Sequence, residues 1–490
     1  MTAHNHTEET TGADRLEYAP AWWAIGAGLA MILAAVLLWP NAREAAEEPR
    51  PPAAGPHRPN LALIVIDALR ADRIGARRNG QAVMPFLESL RAAGTVYQNV
   101  WAPCSWTRPS MSSLFTSLPM ETHQVRWSAD PDKPDSPSDV LSDAFETWAE
   151  YLREFGWHTI GVQTNPNCLP QFGLAQGFEN YAFSAEWRAD QVTGKALELI
   201  GGSERPFFLY AHYMEPHLPY PSSEDARAAL GWPPEGIPAP DLDTAQQDFK
   251  TYFWAYLRYR YGMASTPPPD FSDARRDAVR LLYDAACLTV DRAVQRLVET
   301  VSRQFPDTLF IILADHGEQF WDHELLGHGL SLFEEETRVP LILYGWNTPA
   351  GVLESAPVSL LDVLPLTAFR MGLPARQHWM GTVPQLPDRP VFSATRAPWP
   401  SWNTDLDMVV FGPWKLIRDN NTRETSLYDL RADPGEKINR SAESEAIVRQ
   451  GLDLLGKHVE EAIARRQAGR EIRPLDDAVK EQLKAIGYLE

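Results

Sequence analysis

Five short runs of this chain are almost wholly apolar: LALIVI (61–66), HTIGVQ (158–163), PFFLYAHY (206–213), TLFIILA (308–314) and VPLILY (339–344). A strand with one wet face alternates apolar and polar side chains. These runs do not, so the sheet they form must be covered on both faces. Between them lie segments with the helical spacing of apolar residues: MPFLESLRAAG (84–94), VLSDAFETWAEYLREFG (140–156) and RRDAVRLLYDAACLTVDRAVQRLVETVSRQ (275–304). Strand and helix patterns in alternation predict a three-layer α/β/α sandwich around a mostly parallel sheet. In such folds ligands collect beyond the carboxyl ends of the strands, which says where chemistry is to be sought.

The rest of the chain sorts around that core. Its 490 residues leave room for a large catalytic domain and an appendage. An apolar fraction of 44% excludes disorder throughout. A net charge of −20 argues against a nucleic-acid partner, because phosphate backbones select basic surfaces. It leaves an anionic substrate open, since a local metal ion overrides the global field. Three cysteines make no disulfide framework. Residues 21–39, AWWAIGAGLAMILAAVLLW, carry no charge and are long enough to cross about 30 Å of hydrocarbon. Trp22, Trp23 and Trp39 stand at the ends of this run, where indoles favour the interface. The polar, acidic leader before it does not suit a cleaved signal peptide.

The expected organisation is a tail over 1–20, a single-pass membrane anchor over 21–39 and a Pro-rich linker over 40–59. A catalytic domain follows over 60–389, then a small C-terminal α+β subdomain over 390–490. Arg43 and Arg50 after the anchor, against Arg15 before it, favour a body on the cytoplasmic side by charge alone. Residues 221–274 are rich in Pro and aromatic residues and read as an insertion over one edge of the sheet. Towards the end, DMVVFGPWKLIRD followed by ETSLYDLRADPGE predicts a β-hairpin, and DDAVKEQLKAIGYL a closing helix.

Asp67 follows directly on LALIVI, and Asp315 and His316 directly on TLFIILA, so all three stand at strand carboxyl ends. A lone carboxylate there can simply cap the next helix. Two of them with an adjacent imidazole suit one divalent metal better, with Zn or Mn favoured over Ca or Mg. DHGEQFWDHELLGHG adds His323 and His328, and HYMEPHLPY adds His212 and His217. A single histidine is more often structural, but several at one expected sheet edge point to a site. The stretch WAPCSWTRPSMSSLFTSLP (101–119) offers Cys104, Thr107 and five serines as nucleophiles. It runs from a loop into a helix, whose N-terminus suits an oxyanion, and a hydroxyl beside a metal there is activated.

Taken in order, NLALIVIDALRADRIG, SWTRPSMSSLFTSLP, FFLYAHYMEPHLPY, ADHGEQF, GHGLSLFEEETRVPLI and SLYDLRADPGE resemble the sulfatase family of the alkaline-phosphatase superfamily. The likeness spans nearly all of residues 60–490. It implies an ester hydrolase or a phospho-head-group transferase, with Asp67, Thr107, Asp315 and His316 as metal ligands. It implies His217 on the substrate's anionic oxygens, with Arg108 and His323 as further substrate contacts. His328 falls near the leaving group as a general acid, and His212 is a weaker candidate behind the ligands.

The departures from the family pattern carry as much. Sulfatases usually place a Cys or Ser, oxidised to formylglycine, two residues before the Pro-Ser of a C-x-P-S-R motif. Here Pro109-Ser110 put Thr107 at that position and Met111 where Arg is usual. Threonine cannot become formylglycine, and none is expected. Cys104 lies three residues too early and reads as a loop or core residue. Ala68 stands where calcium-dependent members often have a second Asp, and His316 where they often have Asn. In the same superfamily a metal-bound threonine is the nucleophile of phosphodiesterases and of membrane-anchored phosphoglycerol and phosphoethanolamine transferases. The expected ester therefore moves from sulfur toward phosphorus, on a small-molecule, lipid or glycan substrate. The likeness also favours an extracytoplasmic catalytic domain. Two other readings stand beside this one: a true sulfatase without formylglycine, and a non-catalytic scaffold on the same fold. The retained Asp67, Asp315, His316, His217 and His328 argue against the scaffold.

Overall fold

The computed structural model describes residues 58–485, apart from 129–132, 134, 235–241, 385, 387, 400–401 and the side chains of 242–245. The expected tail and anchor, and nearly all of the linker, lie outside the described residues. Among the described residues no helix is long and apolar enough to cross a membrane.

Eight strands make the central sheet: β1 Asn60–Ile66, β2 Thr95–Trp101, β3 His158–Gln163, β4 Asn180–Phe183, β5 Phe207–Tyr213, β6 Thr308–Leu313, β7 Leu341–Gly345 and β8 Val352–Ser359. Their order across the sheet is β8-β2-β7-β6-β1-β5-β3-β4. Every pairing is parallel except those of β7, which runs against both β2 and β6. The apolar runs explain the middle of this order. All side chains of β5 and β6, and all but the first of β1, are buried. Each aliphatic one contributes about 1.5–3 kcal/mol by leaving water. The pattern reading missed β2, β4 and β8, whose mixed burial breaks the continuous apolar signature.

Helices cover the sheet in two groups that pack within themselves. One comprises α1 Pro85–Ala93, α4 Ala189–Gly201 and α6 Asp273–Gln304; the other comprises α2 Thr107–Thr116, α3 Trp148–Glu154 and α7 Val363–Arg370. The helix expected over 140–156 is corrected to α3 alone. Val140 ends a short strand, Ser138–Val140, and Thr147 with Glu150 forms a capping box that starts the helix only there. The stretch 221–274 holds α5, Leu242–Arg260. Its Phe249, Phe253, Trp254 and Leu257 are buried in an aromatic cluster with Tyr220, Phe271, Trp321, Trp399 and Trp402. Phe253 rests against Gly327, so α5 covers the histidine loop beyond the strand ends.

The C-terminal stretch forms an antiparallel meander: β9 Val391–Arg396, β10 Asp405–Phe411, β11 Trp414–Asp419 and β12 Thr425–Asp429. The stretch expected as a hairpin supplies its last three strands. Alternation along β10 serves two faces. Met408 and Val410 join Trp101 and Leu332, whereas Val409 and Phe411 join Leu455 of α8, Glu445–Ala464. The expected closing helix is α9, Asp477–Ala485. The described residues form one compact unit, with the meander packed on the main sheet's Trp101.

Candidate active site

Four adjacent parallel strands, β6, β1, β5 and β3, each bring a polar group to the carboxyl edge. These are Asp315 with His316, then Asp67, His212 and Asn165, all buried. Thr107 is the first residue of α2 and points its hydroxyl into the same space. Its Oγ1 lies 3.2 Å from His316 Nε2 and accepts a 3.2 Å hydrogen bond from Asn165 Nδ2. The same amide donates to Asp67 Oδ2.

The backbone holds these groups by specific means. Ala68 takes φ of 55°, which is costly for a residue with a Cβ. Its N–H donates to Asp315 Oδ1 at 3.3 Å, and its carbonyl accepts from the Tyr283 hydroxyl at 2.8 Å. A Cβ on Gly317 would meet the Glu335 carbonyl oxygen at 2.0 Å, so only glycine fits. His316 Nδ1 donates to the Gly317 carbonyl at 2.8 Å. Nε2 is therefore the nitrogen turned inward, 3.6 Å from Asp67 Oδ1 and 3.5 Å from Asp315 Oδ2.

Those two carboxylate oxygens are buried and make no hydrogen bond. Buried carboxylates are ordinarily paired and hydrogen-bonded, so oxygens left open opposite an imidazole lone pair suit a divalent cation. Ligand atoms of Asp67, His212 and Asp315 all lie within 4.8 Å of one another. The residues thus fit one divalent metal ion, with Asp67, His212 and Asp315 forming a candidate ligand group and His316 and Thr107 beside it. His212 has its Nε2 bonded to Asp67 Oδ2 at 3.0 Å and its Nδ1 to the Tyr210 hydroxyl at 2.7 Å. Burial opposes charge throughout. Even so, the His212 bond and the imidazoles of His217, His212 and His316 hold the Asp67 carboxyl below the usual range. Burial, and then the charge of Asp67, push Asp315 up.

Two further histidines overlook this cluster. The His328 ring lies 4.4 Å from that of His316 and 4.8 Å from that of His217. His217 Nδ1 donates to the Leu218 carbonyl at 2.7 Å. Two expected substrate contacts fall elsewhere. Arg108 is wholly buried, donating to Asn167 Oδ1 at 2.8 Å and the Asp139 carbonyl at 3.3 Å, with its guanidinium 3.6 Å over the Phe172 ring. These contacts hold α2 to the loop after β3. His323 stacks on Phe333, its Nε2 3.1 Å from the Gly435 carbonyl and its Nδ1 3.3 Å from Glu335. It secures the histidine loop to the turn after β12. Cys104 is buried beside Thr395, and burial pushes its thiol up to about 12, so it is no nucleophile. Sequence reasoning missed Asn165 and Glu318. The first stands two residues beyond HTIGVQ and the second two beyond His316, positions where the strand-end logic could have found both.

A hydroxyl set among cation ligands at a sheet's carboxyl edge is equipment for cleaving esters of strong acids. The sulfatase family profile matches residues 59–372, and the chain belongs to that family. Its members are metal-dependent ester hydrolases, and this protein is an ester-bond hydrolase. The multifunctional alkaline phosphatase superfamily protein PehA of Trinickia caryophylli is 26% identical over 387 residues, 64% of this chain and 74% of the relative. Arylsulfatase K of Mus musculus is 24% identical over 448 residues, 79% of this chain and 76% of the relative. The crystal structure of the phosphonate monoester hydrolase of Agrobacterium radiobacter shares the fold, with a TM-score of 0.64 at 19% identity. That match spans 83% of this chain and 96% of that one.

Proposed function

We propose that this protein cleaves phosphodiesters, by hydrolysis or by transfer of a phospho-head-group, with Thr107 as the nucleophile. The observation that carries the reading is the residue at the nucleophile position. Its hydroxyl sits between Asn165 and His316 beside two open carboxylate oxygens, and its side chain cannot be oxidised to formylglycine. Thr107 attacks phosphorus in line with the leaving group. Asn165 holds the hydroxyl in place, His217 meets the non-bridging oxygens, and His328 protonates the leaving oxygen. The phosphothreonine then passes to water or to an acceptor alcohol. Asp67, Thr107, Asp315 and His316 would hold a divalent ion, which would supply positive charge against the developing oxyanion. Residues 21–39 anchor the chain, and the catalytic part works on the extracytoplasmic side on a small-molecule, lipid or glycan ester.

The sulfatase relatives support a second reading, a sulfate esterase working without formylglycine. A panel of sulfate monoesters, phosphate monoesters and phosphate diesters on metal-loaded protein separates the two. Diesters are expected to lead. Thr107→Ala is expected to lose on the order of 10⁴-fold in kcat while metal content stays unchanged. A sulfate preference, or an active Thr107→Ala, overturns the proposal.

A further inference from the structure

We propose that Glu318 is a positioning residue for His328: its carboxylate holds the ring so that Nε2 meets the leaving oxygen. The inference rests on the function proposed above and adds a residue to it. The register of a small antiparallel ladder places the pair. Gln319 pairs with Gly327 and Phe320 with Leu326, so the next position outward sets Glu318 opposite His328. The Glu318 side chain follows that geometry, with Oε2 3.1 Å from His328 Nδ1. Its backbone is fixed from both sides. The N–H donates to the Glu335 carbonyl at 2.9 Å, and the carbonyl accepts from Arg70 Nη1 at 3.3 Å. Gly327 lets α5 close over the ladder. A Cβ there would lie 2.7 Å from the Phe253 ring of α5, which packs over the pair.

A carboxylate 1% exposed is expensive to keep, and the other oxygen of Glu318 makes no hydrogen bond. Its bond to His328 is therefore the interaction that such a costly group provides. The two nitrogens of an imidazole are distinct, and the partner of one decides what the other does. With Nδ1 donating to Glu318, contact with the ester falls to Nε2. As the bond from phosphorus to the leaving oxygen breaks, its electron pair goes to that oxygen, which takes the proton from Nε2. When water attacks the phosphothreonine, the bond from phosphorus to Thr107 Oγ1 breaks, its electron pair returns to that oxygen, and the water's proton passes to Nε2.

The test compares wild type, Glu318→Gln, His328→Ala and the double variant on two diesters. One releases 4-nitrophenolate, which departs without a proton, and the other releases an alkyl alcohol, which needs one. Each single variant is expected to lose at least about 10-fold more kcat/KM on the alkyl ester. The double variant is expected to lose no more than His328→Ala alone, because the two residues act as one unit. Bound metal is expected to be unchanged in all four. The proposal is overturned if Glu318→Gln affects both esters equally, if it loses its metal, or if its effect multiplies with that of His328→Ala. If wild type instead prefers sulfate esters, the function reading fails, and the same two leaving groups on sulfate still decide the role of Glu318.

Discussion

Glu336 shows how a single buried side chain ties the site loop to solution pH. It is almost wholly inaccessible and accepts from the Ser331 hydroxyl and, at 3.3 Å each, from the Leu330 and Ser331 N–H groups. Burial raises its carboxyl to about 7, against the pull of those hydrogen bonds. Between its unfolded value near 4.5 and about 7, the folded protein keeps a proton that the unfolded chain has released. Its contribution to stability is thus complete below the lower value and lost as pH rises through the upper one. Melting temperatures of Glu336→Gln measured from pH 5 to pH 8 should fall less steeply than those of wild type. An unchanged slope would remove Glu336 as the source. At this scale the places of Asp67, Asp315 and His316 at the carboxyl edge were legible because they follow apolar strands. Where Arg108 and His323 turn was not legible, because residue type does not reveal the direction of a side chain: one lies against Phe172, the other against Phe333.

Helix α1 begins at Pro85 with no cap from its own N-cap side chain. The missing acceptor comes from α6, where Asp291 Oδ2 and Oδ1 accept from Phe86 N–H at 2.8 Å and Leu87 N–H at 2.9 Å. Asp291→Ala should therefore cost about 1 kcal/mol in denaturant unfolding, with little effect on kcat. A change smaller than about 0.3 kcal/mol would show that the long-range cap adds nothing. The elements read most easily from sequence were those buried all round or strongly periodic, such as β1, β6 and α6. Strands β4 and β8, at the sheet's margins, carry mixed patterns that look like loop. The helix expected over 140–156 began late because Thr147 and Glu150 form a capping box that overall periodicity hides.

For the whole molecule, the anchor proposed at 21–39 predicts how the chain fractionates. Full-length protein should stay with membranes through alkaline carbonate extraction, and a chain starting at residue 58 should not, while keeping the same kcat/KM on a soluble ester. Recovery of the full-length chain without membranes would remove the anchor. Sequence by itself determined that a covered, mostly parallel sheet must form, because its apolar strands have no face fit for water. It also determined that acids and histidines would stand at strand ends, and that threonine, not cysteine, precedes Pro109-Ser110. Only the tertiary structure decided which of these groups meet. Asn165 reaches Asp67 across 98 residues of chain, and Thr107 reaches His316 across 209. The first meeting follows from the order β6-β1-β5-β3 across the sheet and the second from where α2 starts, and local patterns encode neither, because a strand's own residues say that it is buried, not which strand lies beside it.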